Sequence, residues 1–278
     1  MAIKAIALDI DGTLTNDEKR VTPRTRDALI AAQERGIRVA LASGRPVQGL
    51  RALAAELDLA AHHGLIVAYN GAVVVDAATD EVLFSQPLSV GQARAVVDHM
   101  RGFDVIPWVN YGEELIVEDP YRCMIEHRGE PKNIIKYERD ACDLVIREVR
   151  DLAAAIDRPV EKVLVAGSDT YLQEHWRAMA APFADELSCV FTADFYFEYT
   201  ARDVHKGRAL AQALPKIGID LAETAAFGDA QNDLTMLAAA GVGVAMGNAT
   251  DEVKAAADMV TRSNNEDGVA YALERILG

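Results

Sequence analysis

Short apolar runs that end in acidic or glycine-bearing turns dominate both ends of the chain. Residues 3–8 (IKAIAL) are the first such run. They are nearly continuous in apolar character rather than alternating, which predicts a strand buried on both faces of a parallel sheet. Thr22-Pro23 follows, with a hydroxyl cap and a proline at the first helical position, and predicts a helix that stops at Gly36. Residues 37–42 (IRVALA) predict a second strand, 48–57 a second helix, and 65–69 (LIVAY) a third strand ending at Asn70-Gly71. Strands and helices alternating through short connections predict a doubly wound α/β sheet.

The pattern changes near Ala72. Residues 73–75 and 82–84, separated by a polar turn at 77–80, predict a hairpin. Residues 85–199 hold most of the aromatics and mix helical stretches (90–101, 169–180) with strand-like ones (115–118, 162–166, 188–192, 196–199). After Lys206 the first texture returns. It predicts a helix over 207–214, a strand at 224–227 (TAAF), a helix over 234–240, a strand at 242–246 (VGVAM), a helix over 251–257, a short strand at Met259-Val260 and a final helix over 268–277. The expected organisation is an α/β core of residues 1–84 and 200–278, interrupted by an α+β insert at 85–199.

Composition narrows the partners. The chain has 278 residues, with 28 Lys and Arg against 43 Asp and Glu, for a net charge of −15. With half its residues hydrophobic it is a globular chain, not a disordered one. No basic stripe is present to displace counterions from nucleic-acid phosphates, and an acidic surface repels anionic lipid. No apolar run approaches the length that spans a bilayer, and residues 3–8 are too short for a signal-peptide core. Cys123, Cys142 and Cys189 are widely spaced and odd in number, which predicts packing residues in a reducing, cytoplasmic compartment. A small phosphorylated metabolite remains an acceptable ligand if positive charge is concentrated locally, for example by a metal. The expected assembly is a monomer or a homodimer.

Four polar elements stand at predicted strand ends, where open α/β sheets bind ligands. The first, Asp9-Ile10-Asp11-Gly12-Thr13, places two acids two residues apart directly after a buried strand. The second, Ser43-Gly44-Arg45, offers a hydroxyl and backbone N–H groups to an anionic oxygen. The third is Lys206-Gly207 at a helix start, where the helix dipole disfavours a cation unless an anion is fixed nearby. The fourth, residues 228–233 (GDAQND), is a second acidic group on the same sheet edge. Converging carboxylates need a cation between them, and oxygen ligands select a hard one, so Mg²⁺ is expected. A hydroxyl and a lysine beside it make a cradle for a phosphoryl group, open to in-line attack by a carboxylate.

In order, these elements resemble the four motifs of the haloacid dehalogenase (HAD) phosphatases. Asn70-Gly71-Ala72, residues 240–249 and residues 265–270 (NEDGVA) are similar to the Cof-type branch, whose cap is of class IIB. The resemblance implies a HAD-like Rossmannoid core with an inserted cap domain that closes over it, and hydrolysis of small phosphomonoesters such as sugar phosphates. It implies Asp9 as the nucleophile that becomes an aspartyl-phosphate, and Asp11 as acid for the leaving alcohol and then base for water. It implies Asp9, the Asp11 carbonyl and Asp229 as Mg²⁺ ligands, with Asp233 supporting the metal through water or through Lys206. Ile10, Ser43, Gly44, Lys206 and Asn232 would hold the phosphoryl oxygens. Arg45 and Asn70 fall near the cleft as substrate contacts. Arg122, His127 and Lys136 in the insert, and Arg202 just past its end, could meet substrate or simply be solvated surface.

Other readings meet obstacles. Residues 241–247 are glycine-rich but lack the GxGxxG spacing of a dinucleotide site, and Ser43 lacks the GxSxG frame of a hydrolase triad. Receiver modules also use a strand-end Asp, a hydroxyl and a lysine, but have no need for an acid at the position of Asp11. A phosphomutase or phosphotransferase on the same scaffold stays open.

Overall fold

The apolar run at the amino end forms β1 (Ala5–Leu8), all four of whose residues are buried. α1 (Pro23–Glu34) follows, its start capped by the Thr22 hydroxyl accepting from the Thr25 N–H, with Pro23 in the first turn. β2 (Arg38–Ala42), α2 (Arg51–Glu56) and β3 (Leu65–Ala68) continue the alternation. β4 (Val73–Asp76) and β5 (Val82–Ser85) form the expected hairpin. The computed structural model describes residues 2–278. In it the chain divides after Ser85: Gln86–Val204 form one unit, and His205–Gly278 rejoin the residues up to Ser85 in the other.

The second unit contains α3 (Val90–Met100), β6 (Ile106–Tyr111), β7 (Glu114–Glu118), β8 (Met124–His127), β9 (Glu130–Asn133), α4 (Ile134–Cys142), β10 (Val145–Val149), α5 (Leu152–Ala155), β11 (Lys162–Ala166), α6 (Asp169–Ala180), β12 (Leu187–Ala193) and β13 (Tyr196–Ala201). Six strands form a mixed sheet in the order β10-β7-β6-β11-β13-β12, and β8 and β9 pair separately. Alternation along the strands sends side chains to two hydrophobic cores. Val163, Val165, Phe197 and Tyr199 join one with Val96, Val97 and Leu172 of the helices. Trp108, Leu115 and Leu164 join the other with Ile134 and Ile135. β13 continues its pairing with β12 as far as Ala201, so this unit runs to Val204, a few residues past residue 200.

The returning chain adds α7 (Lys206–Ala213), β14 (Thr224–Gly228), α8 (Leu234–Ala239), β15 (Val242–Ala245), α9 (Asp251–Ala256), β16 (Met259–Val260) and α10 (Gly268–Leu277). The core sheet has the order β16-β15-β14-β1-β2-β3-β4-β5, parallel from β16 to β3, with β4 and β5 antiparallel at one edge. β1 lies inside it, flanked by β2 from before the insert and β14 from after it. Leu8 is in register with both Leu41 and Phe227, so all three strands end at one level. The sheet is therefore a doubly wound α/β layer, and the insert is α+β. No helix among the described residues is long and apolar enough to cross a membrane.

Candidate active site

Shared register places Asp9, Ser43 and Asp229 just beyond the carboxyl ends of β1, β2 and β14. Lys206 opens α7 and is fully buried. Its Nζ donates to Asp9 Oδ1 at 2.5 Å and to Asp233 Oδ1 at 2.7 Å. The cation that the helix dipole disfavours is thus held by two buried acids. Burial opposes the charge on Lys206, but Asp9 and Asp233 outweigh it and raise the ammonium's pKa.

Asp233, also fully buried, completes its bonding with the backbone. Its Oδ2 accepts from the N–H groups of Asp229 and Ala230, both at 3.1 Å, which shapes the turn that carries Asp229. Asp229 Oδ1 accepts from the Thr13 hydroxyl at 2.9 Å, tying the loops after β1 and β14 together. Gly12 lies against the same carboxylate: with φ of +87°, a Cβ there would stand 2.4 Å from Asp229 Oδ2. Only glycine combines that backbone with that approach.

Carboxylate oxygens of Asp9, Asp229 and Asp233 all lie within 4.8 Å of one another. Burial pushes Asp9 up to about 7; Lys206 offsets part of this, while Asp233 and Asp229 add to it. Burial also raises Asp229, with Asp233 adding to the shift against the Thr13 hydrogen bond. Three acids face one ammonium, an excess of negative charge that a hard divalent cation would relieve. The donor set, all carboxylate oxygen, fits such an ion.

Asp11 sits in a different field. Arg45 Nη2 reaches its two oxygens at 3.0 and 2.8 Å, and Lys19 Nζ reaches Oδ1 at 2.9 Å. Burial acts to raise its pKa, but these two cations outweigh it and hold the carboxyl below its ordinary value. Ser43 is buried, and its Oγ accepts from the Arg45 N–H at 3.3 Å. Asn232 Nδ2 donates to Asn70 Oδ1 at 3.2 Å.

The structure therefore gathers buried Asp9, Asp233 and Lys206 and half-buried Asp229 into one cluster. It joins Arg45 to Asp11, and Asn70 to Asn232. Two residues without an expected role enter as well. Thr13 lies within the acidic turn that the sequence singles out. Lys19 has no local signal; a hydrogen-bonded turn at Asn16–Arg20 brings it to Asp11. In the second unit, Arg122 pairs with Asp119 at 3.3 Å and His127 with Asp169 at 3.0 Å, and Arg202 donates to the Asp185 carbonyl at 2.5 Å. Burial pushes the Cys123 and Cys189 thiols up to about 11, consistent with packing roles.

Residues 6–273 match the family model of haloacid dehalogenase-like hydrolases. YxeH of Bacillus subtilis, which carries a phosphatase name, is 32% identical over 284 residues, covering 99% of this chain and 98% of that protein. A haloacid dehalogenase-like hydrolase from Bacteroides thetaiotaomicron superposes with a TM-score of 0.89 at 34% identity, covering 99% of both chains. A solved structure described as the HAD subclass IIB sugar phosphatase BT4131 superposes at 0.78 with 27% identity, covering 98% of both.

Proposed function

The chain belongs to the haloacid dehalogenase-like hydrolases and is a phosphatase, and from that premise we propose that it hydrolyses small phosphomonoesters of the cytoplasm, sugar phosphates foremost, with Mg²⁺ and an aspartyl-phosphate on Asp9. The observation that carries the reading is the convergence of Asp9, Asp229 and Asp233 on one point with buried Lys206 beside them. Likeness to the subclass IIB sugar phosphatase supports the choice of substrate class.

Asp9, Asp229 and, directly or through water, Asp233 would hold the Mg²⁺, with the Asp11 backbone carbonyl. Bound there, the ion supplies charge neutralisation for the carboxylates and the phosphoryl oxygens. The chain's own groups do the rest. Asp9 attacks phosphorus in line, the ester P–O bond breaks, and Asp11 passes to the departing oxygen a proton that it takes up from the entering phosphate monoanion, since Lys19 and Arg45 hold its own carboxyl ionised. Asp11 then takes a proton from the water that cleaves the acyl phosphate, releasing orthophosphate and restoring Asp9. Lys19 and Arg45 keep Asp11 as the carboxylate that this second step requires. Lys206 has three N–H donors and spends two on Asp9 and Asp233, which leaves one for a phosphoryl oxygen. Ser43, the Ile10 and Gly44 N–H groups and Asn232 complete the cradle.

The deciding experiment is a phosphate-release screen over phosphorylated metabolites, with Mg²⁺ and with EDTA, and without any diphosphorylated activator. Release of orthophosphate that EDTA abolishes is the expected result. Metal-independent release, or transfer to a sugar in place of water, would overturn the reading.

Two further outcomes are expected. Asp11→Asn should slow turnover by about 10²–10⁴-fold, most severely for alkoxide leaving groups and least for p-nitrophenolate; equal losses across leaving groups would count against its acid role. Mg²⁺ should also stabilise the protein in a pH-dependent way. Because Asp9 holds its proton up to about pH 7, the proton competes with the cation below that value and not above it. The upward shift in denaturation temperature caused by Mg²⁺ should therefore be larger at about pH 8 than at about pH 5.5. Scanning calorimetry with and without EDTA reads this directly.

A further inference from the structure

The connection between β3 and β4 is unusual. Tyr69, Asn70 and Gly71 are consecutive left-handed residues, with φ of +51°, +55° and +102°. Tyrosine rarely adopts such a backbone, and it persists only where the surroundings over-determine it. Here they do. The Tyr69 N–H donates to the Arg45 carbonyl at 3.0 Å and the Asn70 N–H to the Ser43 carbonyl at 2.8 Å. Gly71 lies so close to the start of α7 that a Cβ would stand 2.6 Å from the His205 carbonyl oxygen. The turn is thus moulded on two of the four motif segments at once.

Its side chain reaches a third. Asn70 Oδ1 accepts from Asn232 Nδ2 at 3.2 Å, while Asn70 Nδ2 lies 3.0 Å from the place where a Cβ on Gly44 would be. We infer that Asn70 is a positioning residue for Asn232. It engages one N–H of the Asn232 carboxamide, fixes which end of the amide faces outward, and leaves the second N–H for a phosphoryl oxygen. The left-handed turn exists to carry the Asn70 carboxamide over Gly44 to that spot. This goes beyond a contact between Asn70 and substrate, and it rests on the proposed phosphoryl-binding role of Asn232.

The test is a double-mutant cycle of Asn70→Gly and Asn232→Ala in the full chain. Glycine is at ease at φ +55°, so Asn70→Gly removes the carboxamide without straining the turn, and an unchanged or higher denaturation temperature verifies the fold. Two quantities are read with Mg²⁺ present: kcat/KM on p-nitrophenyl phosphate, and the binding constant of inorganic phosphate by calorimetry. Asn70→Gly should lower both by about 10–100-fold, as loss of an orienting partner typically does. In the Asn232→Ala background the same change should cost no more than about twofold, because its route of action is gone. Wild-type values for Asn70→Gly, or losses that simply multiply in the double variant, would overturn the inference. Should the wild type release no phosphate from any ester yet bind inorganic phosphate with the coupling intact, the proposed hydrolysis falls and this inference stands. Absence of both phosphate release and phosphate binding in the wild type would end both.

Discussion

Replacing Asp9 by asparagine is expected to cut turnover of p-nitrophenyl phosphate by about 10⁴-fold or more while the protein stays folded. The carboxamide keeps an oxygen for the Lys206 hydrogen bond but cannot attack phosphorus. The stability change has a definite sign. Asp9 carries its proton up to about pH 7 in the fold, against 3.8 for an ordinary carboxyl. A raised folded pKa contributes stability that is fully present below the unfolded value and is lost as pH rises through the folded one. Metal-free wild type should therefore lose stability between about pH 4 and pH 7 through this group, whereas the Asp9→Asn variant has no such loss. The variant should gain on wild type as the pH goes from about 5 to about 8. Urea titrations at both pH values, beside a phosphate-release assay, test the two halves separately. Retained turnover would remove Asp9 as nucleophile; a gain running the other way would show that its burial is not the dominant influence on its proton.

Lys206→Met should be costly in both respects. Methionine fills much of the same buried volume, so the change is chiefly one of charge. It leaves Asp9 and Asp233 buried beside each other with no counter-charge, and removing one partner of a buried ion pair costs about 3–5 kcal/mol. That is a large fraction of the stability of an ordinary domain. The loss should be smaller at about pH 5 than at about pH 8, because Asp9 can take up a proton and leave one uncompensated buried charge in place of two. Saturating Mg²⁺ should also recover part of the stability at the higher pH. Chemical denaturation across this grid measures both trends. A variant as stable as wild type at pH 8 without metal would contradict the picture of an over-acidic cluster held by one ammonium.

Why some of this is readable from sequence, and some is not, follows from where each residue's information lies. Asp9, Ser43 and Asp229 each follow an apolar run, and the end of a buried strand is a local property. Once three such strands are parallel and in register, their polar followers must share one edge, so most of the site follows from the pattern. Lys206 is legible through a conflict, a cation at a helix start. Its partners are not, since Asp9 and Asp233 reach it only in the fold. Lys19 is the clearest omission: it is a lysine in a polar turn, and nothing within the turn tells it from Arg20. In the insert, the two strands that flank β11 differ in legibility. β13 has the aromatic, β-branched character of a strand, but β6 (Ile106–Tyr111) contains Pro107 and Asn110, which hide its identity. β8 and β9, with sequences MIEH and EPKN, have too little apolar alternation to be seen before they pair.

The position of β1 bears on how the molecule is made. Its one neighbour, β2, leaves the ribosome soon after it; the other, β14, emerges only after the whole second unit has been translated. Through that interval the nascent chain carries a strand of Ala, Ile and Leu with one row of backbone N–H and C=O groups unmatched, the kind of edge that invites mispairing. Slow elongation across Gln86–Val204 would prolong that exposure, whereas early compaction of the second unit would shorten the reach over which β14 must find its place. A stalled fragment ending before Thr224 is consequently an aggregation-prone species with no catalytic centre, which makes chaperone demand a property of this topology more than of its composition.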